Sequence, residues 1–220
     1  MSKRYDMVVF DVDGTLLDTA EGVLSSVVYT MHAFNLPVPE PDVLRTFIGP
    51  PIQVSFARMY GLGKEQTQAC ANTFRRRYSE SDLTKAVPYP GMHELFAEMV
   101  KAGITPAIAT YKRQDYAEAI VRHFGFDAYT DIIYGADNEN KLKKKDIIEL
   151  CLRQRDMTPD RALMIGDSDN DAIGAHDIGM DFLGVTYGFG FRNEADVRAF
   201  DAVGVANNAS DIAAFLGLSI

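Results

Sequence analysis

Two acidic stretches far apart in the chain carry residue types that could do chemistry together: Asp11 to Thr19 reads DVDGTLLDT, and Gly166 to Asp171 reads GDSDND. Carboxylates that converge on one crevice repel and raise one another's pKa, a cost that a hard divalent cation removes. Magnesium takes oxygen ligands in an octahedron, usually one or two carboxylates with waters and substrate phosphate, which suits Asp11 and Asp167. Asp171 stands four residues after Asp167 at an expected helix start, so the two share a face and address the same ion or its waters.

The chemistry such a set performs is phosphoryl transfer. With a cation bound, Asp11 can attack phosphorus and split one difficult displacement into two easier ones. Asp13, two residues on, is placed to protonate a leaving alcohol and then to deprotonate the attacking water. Uncatalysed phosphate-monoester hydrolysis is so slow that positioning and charge neutralisation must supply most of the barrier reduction. Thr110 offers a hydroxyl to a phosphoryl oxygen, Gly14 lets the backbone come close to the transferring group, and the basic run Lys141 to Lys145 offers a cation.

The elements that must position these residues follow from the apolar pattern. Short apolar runs at 7–10, 105–110, 132–134, 162–165, 182–185 and 202–205 read as buried strands. Helix-period segments at 92–102, 114–124, 145–155, 172–178 and 211–216 lie between them. Strand alternating with helix predicts an α/β, Rossmann-like parallel sheet with helices on both faces. Ligands of such sheets bind outside the carboxyl ends of the strands, where Asp11, Thr110 and Asp167 fall. From Asp18 to Lys85 no convincing strand appears, and 20–34, 42–47, 52–60 and 65–79 read as helices. The expected organisation is a discontinuous core of residues 1–16 and 86–220 with an α-helical domain, 17–85, inserted; turn residues Pro88, Pro90 and Gly91 mark the return.

Composition narrows the function classes. At 47% hydrophobic and 24% charged residues the 220-residue chain is globular rather than disordered. A net charge of -9 argues against nucleic acid or an anionic membrane as partner. Cys70 and Cys151 read as reduced thiols, the short N-terminal apolar run stops at Asp11, and no apolar stretch is long enough to span a bilayer, so a cytoplasmic protein is expected. His32, His93, His123 and His176 have no metal-ligand spacing. Gly61-Leu62-Gly63-Lys64 fails as a phosphate-binding loop, because Arg58 stands where its first Gly is needed and Glu65 where Ser or Thr would hold magnesium.

DVDGTLLDT, Thr110, a Lys before a helix and GDSDND occur in the order of the four motifs of the haloacid dehalogenase superfamily, and the chain resembles its phosphatases over essentially its whole length. The resemblance implies a Rossmann-like core with a helical cap after the first strand, Asp11 as nucleophile, Asp13 as acid/base, and Thr110 and a Lys as phosphate ligands. It places magnesium on Asp11, the Asp13 carbonyl and Asp167, supported by Asp171. Many relatives carry Lys-Pro at the lysine motif; here Lys144-Lys145-Asp146-Ile147-Ile148 matches the Pro-less form, which selects Lys144 with Lys143 as the alternative. The expected substrate contacts are Gly14, Thr15, Thr110, Tyr111, Lys144 and, in the cap loop Phe47 to Pro51, Gly49. That loop and Tyr187-Gly188-Phe189-Gly190 resemble phosphoglycolate-phosphatase-like and nucleotidase-like members. Lys112 and Arg113 are read either as surface cations or as contacts to an anionic substrate. The substrate expected is a small phosphorylated metabolite and the assembly a monomer or homodimer. A phosphomutase and a catalytically silent binding relative are the alternatives.

Overall fold

In chain order the first elements are β1 (Met7–Phe10), β2 (Leu17–Asp18), α1 (Ala20–Ala33), α2 (Pro41–Leu44), α3 (Ile52–Tyr60), α4 (Lys64–Arg77) and β3 (Val87–Pro88). Then follow α5 (Met92–Lys101), β4 (Thr105–Arg113), α6 (Gln114–His123), β5 (Ile133–Ala136), α7 (Lys144–Arg153), β6 (Ala162–Gly166) and α8 (Asp169–His176). The chain closes with β7 (Asp181–Val185), α9 (Glu194–Arg198), β8 (Gly204–Ala206) and α10 (Ala209–Phe215). This computed structural model describes residues 5–137 and 141–220. It falls into two compact units, Met1–Leu17 with Pro88–Ile220, and Asp18–Val87.

In the first unit six strands form one sheet in the order β5-β4-β1-β6-β7-β8, each neighbouring pair parallel. All four residues of β1 are fully buried, as a central parallel strand covered on both faces requires. Alternate residues face opposite layers. Met7 and Val9 join Ala107, Met164 and Phe182 in a core with Ile147, Ile148 and Cys151 of α7 and Ala172 and Ala175 of α8. On the other layer Phe10 meets Phe96 of α5 at 4.8 Å, and Phe96 stands edge-on to Phe126 at 5.1 Å. The chain builds outward from β1 through β4 to β5, then returns to the other edge of β1 for β6. Strand order reverses at β1, which is where an open α/β sheet leaves its crevice.

The second unit is helical, with α1 and α3 both packed on α4. Its polar centre is the buried Asp82, which accepts from Ser26 Oγ (2.8 Å) and Arg77 Nε (3.0 Å) and pairs with Lys85 Nζ (2.8 Å). Burial alone would push this carboxyl up, but the bonds from Lys85, Ser26 and Arg77 outweigh it and hold Asp82 below the usual carboxylate range.

Several boundaries differ from the sequence pattern for local reasons. β4 runs on past Thr110 to Arg113, because a strand end made of Tyr, Lys and Arg carries no apolar signal. α8 starts at Asp169 rather than Ala172, because Asp171 accepts both the backbone N–H and the hydroxyl of Ser168 and caps the first turn. Asp167 therefore precedes the helix, and the expected helical face shared with Asp171 does not exist. The helix expected over 65–79 stops at Arg77 and gives way to a π-turn, Tyr78–Asp82. The segment 42–47 splits into α2 and a 3-10 turn, Arg45–Phe47. α9 carried no apolar periodicity; it is nucleated by Asn193, whose side chain accepts from the Asp196 N–H.

Phe96 touches Phe10, Phe126 and Tyr129, so Phe96→Ala should lower stability by about 3–5 kcal/mol in urea denaturation with an unchanged slope.

Candidate active site

β1 delivers Asp11 to the crevice, where its N–H donates to the Ile165 carbonyl of β6 at 3.0 Å. Beyond it the chain turns sharply: the Val12 carbonyl accepts the N–H groups of Leu16 (3.0 Å) and Leu17 (2.9 Å), and Gly14 takes the left-handed conformation at φ 79°. β6 ends beside β1 and delivers Asp167, while the capped start of α8 delivers Asp171. Asp11, Asp167 and Asp171 are all buried, and each offers an oxygen within 4.8 Å of the others.

Lys144, the first residue of α7, is the cation of this cluster. Its Nζ lies 2.6 Å from Asp11 Oδ1 and 2.7 Å from Asp171 Oδ1, and the side chain is 3% exposed. Its N–H donates to the Tyr111 hydroxyl at 2.9 Å, and its ammonium lies 5.7 Å from the centre of the same ring. α7 packs closely on α8 here, because a Cβ at Gly174 would come within 2.9 Å of the Lys144 side chain. Among Lys141 to Lys145, Lys144 is the buried one: Lys141 and Lys143 are exposed, and Lys145 lies 3.8 Å from Asp177.

Asp167 is held by the loop Tyr187-Gly188-Phe189-Gly190. Its Oδ2 accepts the N–H groups of Phe189 (2.6 Å) and Gly190 (3.1 Å), and its carbonyl accepts the Phe191 N–H at 2.7 Å. The backbone reaches so close only because side chains are missing. A Cβ at Gly188 would fall 2.4 Å from Asp167 Oδ2 and 2.3 Å from the Gly14 carbonyl, and one at Gly14 would fall 2.1 Å from Asp167 Oδ2. The signal for this role was the repeat of Gly188 and Gly190 two residues apart, which places two small residues against one neighbour.

Electrostatics follow from this crowding. Burial, then the attraction of Lys144 working the other way, then repulsion from Asp171 and Asp13, leave the Asp11 carboxyl raised to about 7. Asp167 is pushed up to about 8 by burial and by Asp171 and Asp11, against the two N–H bonds of the glycine loop. Burial opposes the charge on Lys144, but Asp11 and Asp171 together hold its ammonium above the usual lysine range. One ammonium among three carboxylates leaves two negative charges, the charge of one divalent cation. The donor set is all oxygen, as magnesium prefers, and Asp167 Oδ1 has no hydrogen-bond donor among the described residues.

The remaining expected residues are placed as follows. Asp13 sits at the rim of the crevice, its Oδ1 3.1 Å from Lys112 Nζ. The Lys112 side chain is 5% exposed, so its ammonium is no ordinary surface cation. Thr110 is buried, and its Oγ1 accepts the Lys112 N–H at 3.1 Å, which leaves the hydroxyl proton for another acceptor. Thr15 is fully buried: its carbonyl accepts the Tyr187 hydroxyl at 3.0 Å, and its own hydroxyl has no hydrogen-bond partner among the described residues. Tyr111 contacts Lys144, whose N–H its hydroxyl accepts. Gly49, in the helical unit, takes φ 98° between the 3-10 turn and α3. His93 is stacked on Phe126 at 4.3 Å.

These residues and this sheet define a known class. The chain belongs to the haloacid dehalogenase-like hydrolase family, whose model matches residues 8–185. It is 34% identical to a protein named 5'-nucleotidase from Pseudomonas aeruginosa, over 87% of each chain. It is 32% identical to one named tyrosine-protein kinase PtkA from Mycobacterium tuberculosis, over 96% of this chain and 72% of that one. The crystal structure described as a predicted phosphatase from Clostridium acetobutylicum superposes with a TM-score of 0.88 at 31% identity, covering 94% of this chain and 96% of that one. No helix among the described residues is long and apolar enough to cross a membrane.

Two outcomes are expected. Gly188→Ala should disturb Asp167 and lower turnover by about tenfold or more while the circular-dichroism spectrum stays native-like. Because Asp11 and Asp167 bind protons more tightly folded than unfolded, their contribution to stability is complete below the unfolded carboxyl pKa of about 4 and is lost as pH rises through about 7 to 8. In chelator, wild-type Tm should therefore fall between pH 6 and pH 9 more than that of Asp167→Asn.

Proposed function

We propose that this HAD-type phosphatase cleaves a small-metabolite phosphate monoester through an aspartyl-phosphate on Asp11, with magnesium as its cation. The observation that carries the reading is the convergence of the buried Asp11, Asp167 and Asp171, with the buried ammonium of Lys144 on Asp11 and Asp171, at the carboxyl ends of the central strands.

In the first step an Asp11 carboxylate oxygen forms a bond to phosphorus as the bond to the leaving oxygen breaks, and Asp13 gives that oxygen its proton. Thr110 and Lys144 hold the phosphoryl oxygens and oppose their charge. In the second step Asp13 takes a proton from water, the water oxygen bonds to phosphorus, and the Asp11–phosphorus bond breaks, giving inorganic phosphate and free Asp11. Asp11, Asp167 and the Asp13 carbonyl, with Asp171 supporting the site, would hold magnesium, which would supply two positive charges against the carboxylates and the phosphoryl group. Tyr111 acts through Lys144, and Gly14 and Thr15 bring the turn close to the transferring group. Discrimination between substrates we assign to the helical unit, Asp18–Val87, including the turn at Gly49. The 34% identity to a protein named 5'-nucleotidase makes nucleoside monophosphates the first compounds to try, with phosphoglycolate next.

The test is a phosphate-release screen over a metabolite panel, in magnesium and in chelator. Wild type should release phosphate only with magnesium, and Asp11→Asn should fall by about 10³-fold or more. Wild-type turnover by Asp11→Asn would remove the assigned nucleophile. Transfer to a second sugar hydroxyl without phosphate release, dependent on a bisphosphate, would make the protein a mutase, and no turnover of any ester would make it a binding protein.

A further inference from the structure

We infer that Lys112 is a positioning residue that fixes the Asp13 side chain for proton transfer to the leaving oxygen. The inference rests on the reading of Asp13 given above. It goes beyond that reading by giving the acid/base on the turn after β1 a charged partner on β4.

Three observations carry it. The first is the pair itself: Lys112 Nζ lies 3.1 Å from Asp13 Oδ1, and the side chains are only 5% and 13% exposed. A long, flexible lysine held this far from solvent loses several rotatable bonds, so its place is built rather than incidental. The second is the strand that carries it. β4 keeps register with β5 at Ala109 opposite Tyr134, then shifts before Arg113 opposite Ala136. Such an irregularity re-aims the side chains that follow it, and the Lys112 N–H is tied back onto Thr110 Oγ1 at 3.1 Å.

The third is the bracing behind the strand. A Cβ at Gly135 would fall 2.4 Å from the Lys112 carbonyl, so β5 is pressed against this segment. Gln114 then clamps the two together, donating to the Ile133 carbonyl at 2.9 Å and accepting the Gly135 N–H at 2.6 Å. The backbone that presents Lys112 is therefore rigid, while Asp13 stands on the turn after β1. An ammonium on a braced strand can hold a carboxylate on a turn in one rotamer, and proton transfer depends steeply on that placement. Lys144 already offsets Asp11 and Asp171, so Lys112 serves a different carboxylate.

A leaving-group comparison tests this. An alkyl phosphate needs a proton on its leaving oxygen, whereas p-nitrophenolate departs without one, so in kcat/KM, which reports formation of the aspartyl-phosphate and not the water step common to both esters, a fault at Asp13 shows on the first and hardly on the second. The alkyl ester is the one turned over fastest in the metabolite screen. Lys112→Met should lose about 30- to 100-fold in kcat/KM on that ester and about threefold or less in kcat/KM on p-nitrophenyl phosphate. Lys112→Arg, which keeps a cation, should recover much of the loss. Asp13→Asn should show the same selective loss, and adding Lys112→Met to it should cost no more, because the lysine acts through the carboxylate.

Equal losses in kcat/KM on both esters, or losses that multiply in the double variant, would overturn the inference. If Lys112→Met does not fold, judged by its melting curve, Lys112→Gln takes the same measurements. These results are separable from the function itself: a wild type inactive on every ester removes the reading of the site, whereas an active wild type with an unselective Lys112 variant removes only this inference.

Discussion

Three buried carboxylates and one buried ammonium set the terms on which the rest of this structure is arranged. Two like charges at the 4.8 Å that bounds the Asp11, Asp167 and Asp171 oxygens repel by about 3 to 4 kcal/mol at an effective dielectric near 20. Lys144 offsets part of this by touching Asp11 and Asp171 at once, and the two peptide N–H groups on Asp167 offset a little more. What is left over is negative and surrounded by oxygen donors, which is how a protein keeps an affinity for a small dication and for the phosphate that comes with it. A cluster of this kind is a burden to the fold, accepted at a functional site and supported by the apolar layers beneath.

Those layers make the crowding possible. A four-residue strand buried on both faces cannot shift without disturbing both cores, so Asp11 leaves it at a fixed point. Its neighbours β4 and β6 run parallel to it with Ile108 and Ile165 both opposite Phe10, so Thr110 and Asp167, each two residues on, arrive from either side at the same level. Glycine then supplies the clearance: Gly14 and Gly188 leave room around Asp167, and Gly174 leaves room for the stem of Lys144. None of these three contacts would survive a methyl group without movement of a charged side chain or of the backbone.

The two lysines divide the electrostatic work. Lys144 enters from a helix start and faces the carboxylates that converge at the strand ends, whereas Lys112 enters from an irregular strand end and faces the carboxylate on the turn. Each is anchored through its backbone N–H to a hydroxyl, Lys144 to Tyr111 and Lys112 to Thr110, so the segment after the apolar part of β4 orders both. The polar tail of that strand is thus a scaffold for the cations.

The amino-acid sequence by itself determined the parallel α/β core, the helical character of residues 18–85 and the identity of the acidic residues. An apolar run ending in a carboxylate and an apolar helix face are local patterns, and burial follows from them directly. The meeting of Asp11 with Asp167 was legible for the same reason, since both follow strands and strand ends in a parallel sheet share one edge. The resemblance at Lys144-Lys145-Asp146 selects Lys144 ahead of Lys143; only the tertiary structure decided how that lysine reaches the carboxylates, that Tyr111 accepts its N–H, what Gly188 and Gly190 are for, and that Lys112 is held against Asp13. Asp171 reaches the cluster through a cap rather than along a helical face, because a single hydroxyl at Ser168 moved the helix start. Each of these is set by contacts between segments distant along the chain, which no local periodicity records.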